Sequence, residues 1–195
     1  MRDFQVGGRS SVFSTNGMCA TSTPLAAKVA VQLLESGGNA IDAAIGAAVL
    51  LGFCEPQSTG IGGDCFVLVQ PPNKTKPVAL NGSGRSPSGL DSEKMRSFGF
   101  DSMPLYGVES VTVPGAIDAF CQLSNDWGRK GLKFSLAPAI NYAENGIVVG
   151  PRTAFDWANS ASILKGDARD HFLLNDKAPL AGQIFRAPRQ AEVLR

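Results

Sequence analysis

The chain has 195 residues, of which 44% are apolar and 18% charged; this composition indicates a globular domain and excludes a disordered segment. Its net charge of +1 gives no electrostatic basis for binding nucleic acid or an anionic membrane. The cysteines (Cys19, Cys54, Cys65 and Cys121) and the single histidine, His171, show no zinc-ligand spacing, so we predict free, mostly buried thiols and no metal site.

The beginning of the chain contains no apolar stretch of the kind that a secretory signal requires, which predicts a cytoplasmic protein. Residues 1–16 are polar and are expected to form a surface lead-in. The longest apolar run, residues 40–53, is too short to span a bilayer and contains Asp42, so we expect no membrane partner.

The first elements are a short buried strand, expected at residues 18–22, and two helices. Thr23 is expected to be the N-cap of the first helix. Gly37 and Gly38 are expected to end that helix. Asn39 and Asp42 resemble a capping pair for the second helix. That helix, residues 40–53, is apolar on nearly every face, and such a helix is expected at the centre of a fold.

A glycine loop, residues 54–66, follows this helix and turns the chain into a strand. It lacks the lysine of a P-loop and the third glycine of a dinucleotide fingerprint, and glycines let a ligand or another segment approach the backbone. A buried strand is expected at 66–69 and a second strand at 77–80, and the two are expected to pair as a hairpin. We expect Glu55 and Asp64 to accept hydrogen bonds from loop amides.

The second half of the chain is predicted to be mostly helical. Helices are predicted for five segments, residues 92–98, 115–127, 136–145, 151–164 and 189–195. Ser135 is expected to cap the third of them. In the fourth, Phe155, Ala158 and Ile163 are expected to face inward. Residues 166–187 are expected to be irregular, and the last helix is cut off by the end of the sequence.

Two reactive side chains are expected to have structural roles only. Cys19 lies in the segment expected to form a core strand, where a buried thiol behaves as a small apolar residue. His171 is expected at the surface, because the sequence has no nucleophile elbow that could supply a serine for a triad.

Six motifs resemble the γ-glutamyltranspeptidase (glutathione hydrolase) family, and they occur in the family's order. They are GMCATSTPLA (17–26), GGNAIDAA (37–44), EPQSTGIGG (55–63), VPG (113–115), LAPAI (136–140) and AENG (143–146). The likeness covers about residues 15–195. Members are N-terminal-nucleophile hydrolases, made as one chain that cuts itself into a large and a small subunit. The sequence is similar to the first part of the large subunit.

The resemblance implies an α+β fold that forms part of a four-layer αββα sandwich, with residues 1–195 as a single partial domain. It also implies acyl transfer from γ-glutamyl amides such as glutathione to a threonine, without a metal or an organic cofactor. The nucleophile of the family lies in a Thr-Thr-His motif, which the sequence does not contain, so we expect it beyond residue 195. The expected partners are the small amide substrate and the remainder of the precursor.

In this family an arginine that follows the second strand binds the α-carboxylate of the γ-glutamyl substrate. Aligned without gaps over residues 80–87, that arginine falls on Ser83, and Arg85 comes two places later. In an extended segment both side chains share a face, and Gly82 and Gly84 would leave the backbone free to turn it toward a pocket. We therefore expect Ser83 and Arg85 to contact substrate.

Three alternatives remain open. Arg85 could be a solvated loop arginine without a substrate. The altered loop also admits an N-terminal-nucleophile amidase with another substrate, such as a cephalosporin-acylase-like enzyme or a small-amide hydrolase. A third possibility is a homologue that keeps the scaffold and has no catalytic activity.

Overall fold

The computed structural model describes residues 11–195; the predicted lead-in therefore lies partly outside the described residues. The helices are α1 Pro24–Glu35, α2 Ala40–Cys54, α3 Ser92–Ser97, α4 Ala116–Trp127, α5 Leu132–Asn145, α6 Pro151–Ser160, α7 Asp167–Phe172 and α8 Pro188–Leu194. The strands are β1 Phe66–Val69, β2 Val78–Asn81, β3 Ile147–Val148 and β4 Ile184–Phe185, and short 3-10 turns occupy Val108–Ser110 and Ala161–Ile163. The mixed helix and strand content agrees with the predicted α+β class.

Helix α2 is the central element, as its all-round apolar sequence predicts. It packs against α1, α5 and α4, and Val49, Leu50 and Phe53 are fully buried. Gly46 allows the closest approach, because a Cβ there would lie 2.4 Å from Leu33 Cδ1 and 2.8 Å from the Ser135 carbonyl oxygen. No side chain larger than hydrogen fits at this crossing.

The capping box at the start of α2 is confirmed. The Asn39 side chain accepts from the N–H of Asp42, and the Asp42 carboxylate accepts from the Asn39 N–H at 2.8 Å. Asp42 is fully buried and also accepts from the N–H groups of Arg129 and Lys130 and from the Ser135 hydroxyl. A single carboxylate thus joins the start of α2 to the loop between α4 and α5.

Strands β1 and β2 form the predicted antiparallel hairpin, with Phe66 opposite Asn81 and Val69 opposite Val78. Only one of its faces packs on the helices. The prediction that β1 is buried was wrong for the other face, where Phe66 and Leu68 are 70% and 76% exposed. That face has no cover from the part of the chain that the structure describes.

Helix α5 begins at Leu132 and not at residue 136, so the prediction of Ser135 as its N-cap was wrong. Ser135 lies inside the first turn, fully buried. The predicted inward face of α6 was also wrong. Phe155 and Ala158 are exposed, and the residue that packs inside is Trp157, 1% exposed, with its ring edge-on to Phe185 at 4.8 Å between centroids.

Three further predictions need correction. Residues 18–22 form no strand. Thr23 precedes α1 as predicted but caps no N–H; its hydroxyl instead donates to the Glu55 carboxylate at 3.3 Å. Residues 166–187, expected to be irregular, contain α7 and β4, and β4 pairs with β3 directly after α5.

None of the helices within residues 11–195 has the length and apolar character that a membrane span requires. In the same residues, no three His, Cys, Asp or Glu side chains are grouped closely enough to hold a metal ion.

Candidate functional site

The glycine loop begins where α2 ends. The Glu55 carbonyl accepts from the N–H groups of Ser58 and Thr59, which turns the chain sharply away from the helix axis. A Cβ at Gly60, Gly62 or Gly63 would meet no atom of the described residues within 4 Å. These glycines therefore border open space, a cleft of about 560 Å³ that Phe172 and Gln190 also line.

The end of the glycine loop is bound to the segment before α4. The Gly63 carbonyl accepts from the N–H groups of Gly115 and Ala116 at 3.1 and 3.0 Å. A Cβ at Gly115 would lie 2.3 Å from the Gly82 carbonyl oxygen, so the loop after β2 also packs here. Three segments that are distant in sequence thus meet at one junction.

Ser83 and Arg85 lie in the loop after β2, next to this junction. Cys65 and Gly82 exchange two backbone hydrogen bonds, 3.2 and 2.7 Å, which continue the hairpin pairing by one step. Beyond that pair, Ser83 and Arg85 are exposed while Gly82 and Gly84 are partly buried, an alternation typical of an extended segment. In the described residues no acidic side chain lies within salt-bridge distance of Arg85.

The two glycines of this loop serve close packing. A Cβ at Gly82 would lie 2.6 Å from the Ala119 Cβ, and one at Gly84 would lie 1.5 Å from the Val113 carbonyl oxygen. The prediction that they make the loop freely turning was therefore wrong. They fix the backbone against its neighbours, and the adjacent residues Ser83 and Arg85 are exposed.

Asp64 accepts from the Gly84 N–H at 3.3 Å, as predicted for loop amides, and also from the Thr112 hydroxyl at 3.4 Å. The corresponding prediction for Glu55 was wrong in its donors. The Glu55 carboxylate accepts from two hydroxyls, those of Ser22 at 2.6 Å and Thr23 at 3.3 Å. The structure does not bring Glu55 to the Arg85 loop; it borders a separate cleft of about 710 Å³ beside the start of α6.

All four cysteines are free, as predicted, but the prediction that most of them are buried was wrong, since Cys54 alone is buried and the other three are partly exposed. Cys54, at the end of α2, is buried, and this burial together with the negative charge of Glu55 raises the pKa of its thiol to about 12. Burial also raises the pKa of the Cys65 thiol. Cys19, which was expected to be buried, is partly exposed. His171 is also partly exposed and packs edge-on against Phe172 at 4.5 Å between ring centroids. A raised pKa makes the Cys54 and Cys65 thiols poor nucleophiles.

The fold of the chain as a whole matches solved structures of N-terminal-nucleophile hydrolases. The chain superimposes on a cephalosporin acylase from Bacillus halodurans with a TM-score of 0.90 and 41% identity, covering 99% of this chain and 38% of that one. With the γ-glutamyltranspeptidase of Helicobacter pylori the TM-score is 0.83 and the identity 25%, over 95% of this chain and 54% of that one. The chain thus has the predicted partial α+β fold of this class.

Residues 26–195 match the family model described as gamma-glutamyltranspeptidase, and the chain belongs to this family. It is 34% identical, over 94% of its length, to the glutathione hydrolase-like YwrD proenzyme of Bacillus subtilis, of which it covers 35%. It is 33% identical, over 95% of its length, to the oxamate amidohydrolase proenzyme of Klebsiella pneumoniae, of which it covers 36%. The chain therefore spans about a third of the length of these curated relatives.

Proposed function

We propose that the chain is the first part of the large subunit of a precursor whose mature form is a hydrolase and acyltransferase acting on γ-glutamyl amides such as glutathione. Membership of the family supports this activity, as does 32% identity to the glutathione hydrolase proenzyme of Bacillus subtilis, over 69% of this chain and 24% of that one. The relatives are named proenzymes, which supports a precursor that is processed into subunits.

The reaction would be acyl transfer to a threonine located outside these residues. The threonine hydroxyl adds to the amide carbonyl, and the α-amino group of the same residue takes the proton. The amine leaves with a proton, and water or a second amine then releases the acyl group. No metal or organic cofactor is needed for these steps. In this scheme residues 1–195 form a partial domain whose part in the reaction is to hold substrate.

The observation that carries the proposal is the arrangement of Ser83 and Arg85. Both are exposed, on an extended loop whose backbone is anchored at the junction with the glycine loop. A guanidinium offers a planar pair of N–H donors that matches a carboxylate. We therefore assign Arg85 to the substrate α-carboxylate and Ser83 to the edge of the same contact.

A second candidate is an amidase with a smaller or different acyl group. It is favoured by Ser83, which occupies the position of the family arginine, and by the similarity to a cephalosporin acylase and an oxamate amidohydrolase. Oxamate also bears a carboxylate, so the role of Arg85 would be the same for that substrate.

The remainder of the precursor is the proposed partner for the exposed face of the β1–β2 hairpin. Phe66 and Leu68 on that face are 70% and 76% exposed, and covering them would bury apolar surface.

The test uses the full-length protein and two amides that differ only in the α-carboxylate. Arg85→Ala should lower kcat/KM for the carboxylate-bearing amide by roughly 10- to 150-fold, the equivalent of about 1.5–3 kcal/mol for a charge-assisted hydrogen bond. The matched amide without the carboxylate should be almost unaffected. Arg85→Lys should restore activity only in part, because an ammonium lacks the planar pair of donors.

Self-cleavage of the precursor is the control, since Arg85 is not part of nucleophile activation and the variant should still be processed. Ser83→Ala tests the neighbouring position in the same assay. Equal losses on both amides, or no loss on either, would show that Arg85 is a solvated loop residue. Comparing γ-glutamyl with oxamate-type and cephalosporin-type amides then separates the two candidate functions.

A further inference from the structure

We infer that Asp64 is a positioning residue that holds the Arg85 loop in its binding geometry and so sets the preference for carboxylate-bearing amides. The inference rests on the proposed function of Arg85 as the carboxylate-binding group. Asp64 would act through the loop and would not itself touch substrate.

The first observation is the placement of the Asp64 carboxylate between two segments. Its Oδ1 atom accepts from the Gly84 N–H, 20 residues along the chain, and from the Thr112 hydroxyl, 48 residues along. Gly84 directly precedes Arg85. One oxygen atom therefore connects the glycine loop, the arginine loop and the segment that leads into α4.

The second observation is that the other side of Arg85 is held by the same segment. The Arg85 carbonyl accepts from the Val113 N–H at 2.9 Å, and Val113 follows Thr112. The Val113 carbonyl in turn occupies the space that a Cβ of residue 84 would need, with only 1.5 Å between them. The backbone is therefore bonded to neighbouring segments at the Gly84 N–H, one residue before Arg85, and at the Arg85 carbonyl.

A purely structural role for Asp64 predicts a different result. Asp64 is exposed, and a substitution at an exposed position usually leaves the stability of the whole fold almost unchanged. If it only stabilised the fold, its removal would change turnover of every substrate alike. If it positions Arg85, its removal affects only substrates that use Arg85, and only while Arg85 is present.

The experiment measures kcat and KM of the full-length protein on the same matched pair of amides, with Asp64→Ala, Asp64→Asn, Thr112→Val, Arg85→Ala and the double variant Asp64→Ala/Arg85→Ala. Asp64→Ala should lower the ratio of kcat/KM values, with carboxylate over without, by about 2- to 12-fold, as expected for one hydrogen bond. The change should lie mainly in KM. Asparagine keeps an acceptor oxygen and should restore most of the ratio.

The double variant decides the mechanism. Added to Arg85→Ala, the Asp64→Ala change should cause no further fall in the ratio, because the two residues act through one contact. A further, independent fall would overturn the inference, as would equal losses on both amides. Thr112→Val should shift the ratio in the same direction as Asp64→Ala, which provides a test if Asp64→Ala does not fold.

The design also separates this inference from the proposed function. If Arg85→Ala lowers the ratio and Asp64→Ala and Thr112→Val leave it unchanged, the carboxylate role stands and the positioning inference is overturned. If Arg85→Ala leaves the ratio unchanged, both are overturned.

Discussion

Replacing Asp42 with alanine should destabilise the protein by about 3–5 kcal/mol, which is the sum for three N–H donors that lose their acceptor. The carboxylate is fully buried and accepts from three N–H groups, those of Asn39 at 2.8 Å, Arg129 at 3.1 Å and Lys130 at 3.2 Å. A buried donor that loses its acceptor costs about 1–3 kcal/mol. Arg129 and Lys130 are exposed residues, so we apply the lower end of that range to each of their N–H groups and the full range to that of Asn39.

The assay is denaturant unfolding of the full-length protein, followed by tryptophan fluorescence. Trp127 is a suitable reporter, because its carbonyl accepts from the Asn39 side chain at 2.7 Å beside the Asp42 cluster. Asp126→Ala removes the same charge from an exposed position nearby and should change stability by at most about 0.5 kcal/mol. If Asp42→Ala lowers the free energy of unfolding by less than about 1 kcal/mol, the hydrogen bonds of Asp42 do not stabilise the fold as their geometry indicates.

Two further predictions concern the chain itself. Residues 1–195 alone should have no hydrolase activity, because the expected threonine nucleophile is not among them; turnover that an active-site titrant can count would contradict this. Cys54 should resist iodoacetamide at pH 8 in the folded protein and react in denaturant, as mass spectrometry can determine. Since the thiol pKa rises from 9.0 to about 12 on folding, this thiol's contribution to stability is complete below pH 9.0 and is lost as the pH rises toward 12. Alkylation of native Cys54 at pH 8 would refute the assignment.

Local signals in the sequence predicted the core of the fold. The all-round apolar pattern identified α2, and the Asn39–Asp42 pair marked its start, because a capping box depends on residues three apart. The apolar, β-rich run at 66–69 identified β1, because this signal also lies within a few consecutive residues. These elements could be predicted since the interactions that define them lie within a few residues.

The errors arose where distant contacts determined the outcome. Ser135 has the chemistry of a cap, but its hydroxyl lies 3.4 Å from Asp42, 93 residues earlier, inside a helix that starts sooner. The inward face of α6 is set by Phe185 and Phe172, which surround Trp157. A serine or an aromatic residue carries no local signal for such partners.

The candidate site was predicted only in part. The resemblance pointed to Ser83 and Arg85, and the glycines suggested an unusual backbone. The contact of Thr112 with Asp64 joins segments 48 residues apart, and neither segment contains a sequence signal that predicts this contact. The packing role of Gly84 was missed for the same reason, since Val113 is far away in sequence.

The bonded backbone on both sides of Arg85 has a consequence for the entropy of binding. Ordering a free loop costs about 1–2 kcal/mol for each residue that must be fixed. Here Gly84 N–H and the Arg85 carbonyl already have partners before any ligand arrives. A carboxylate at Arg85 would have to immobilise little more than one side chain, at about 0.5–1.5 kcal/mol. The loop is thus preorganised, and most of the attraction between guanidinium and carboxylate would be retained as affinity.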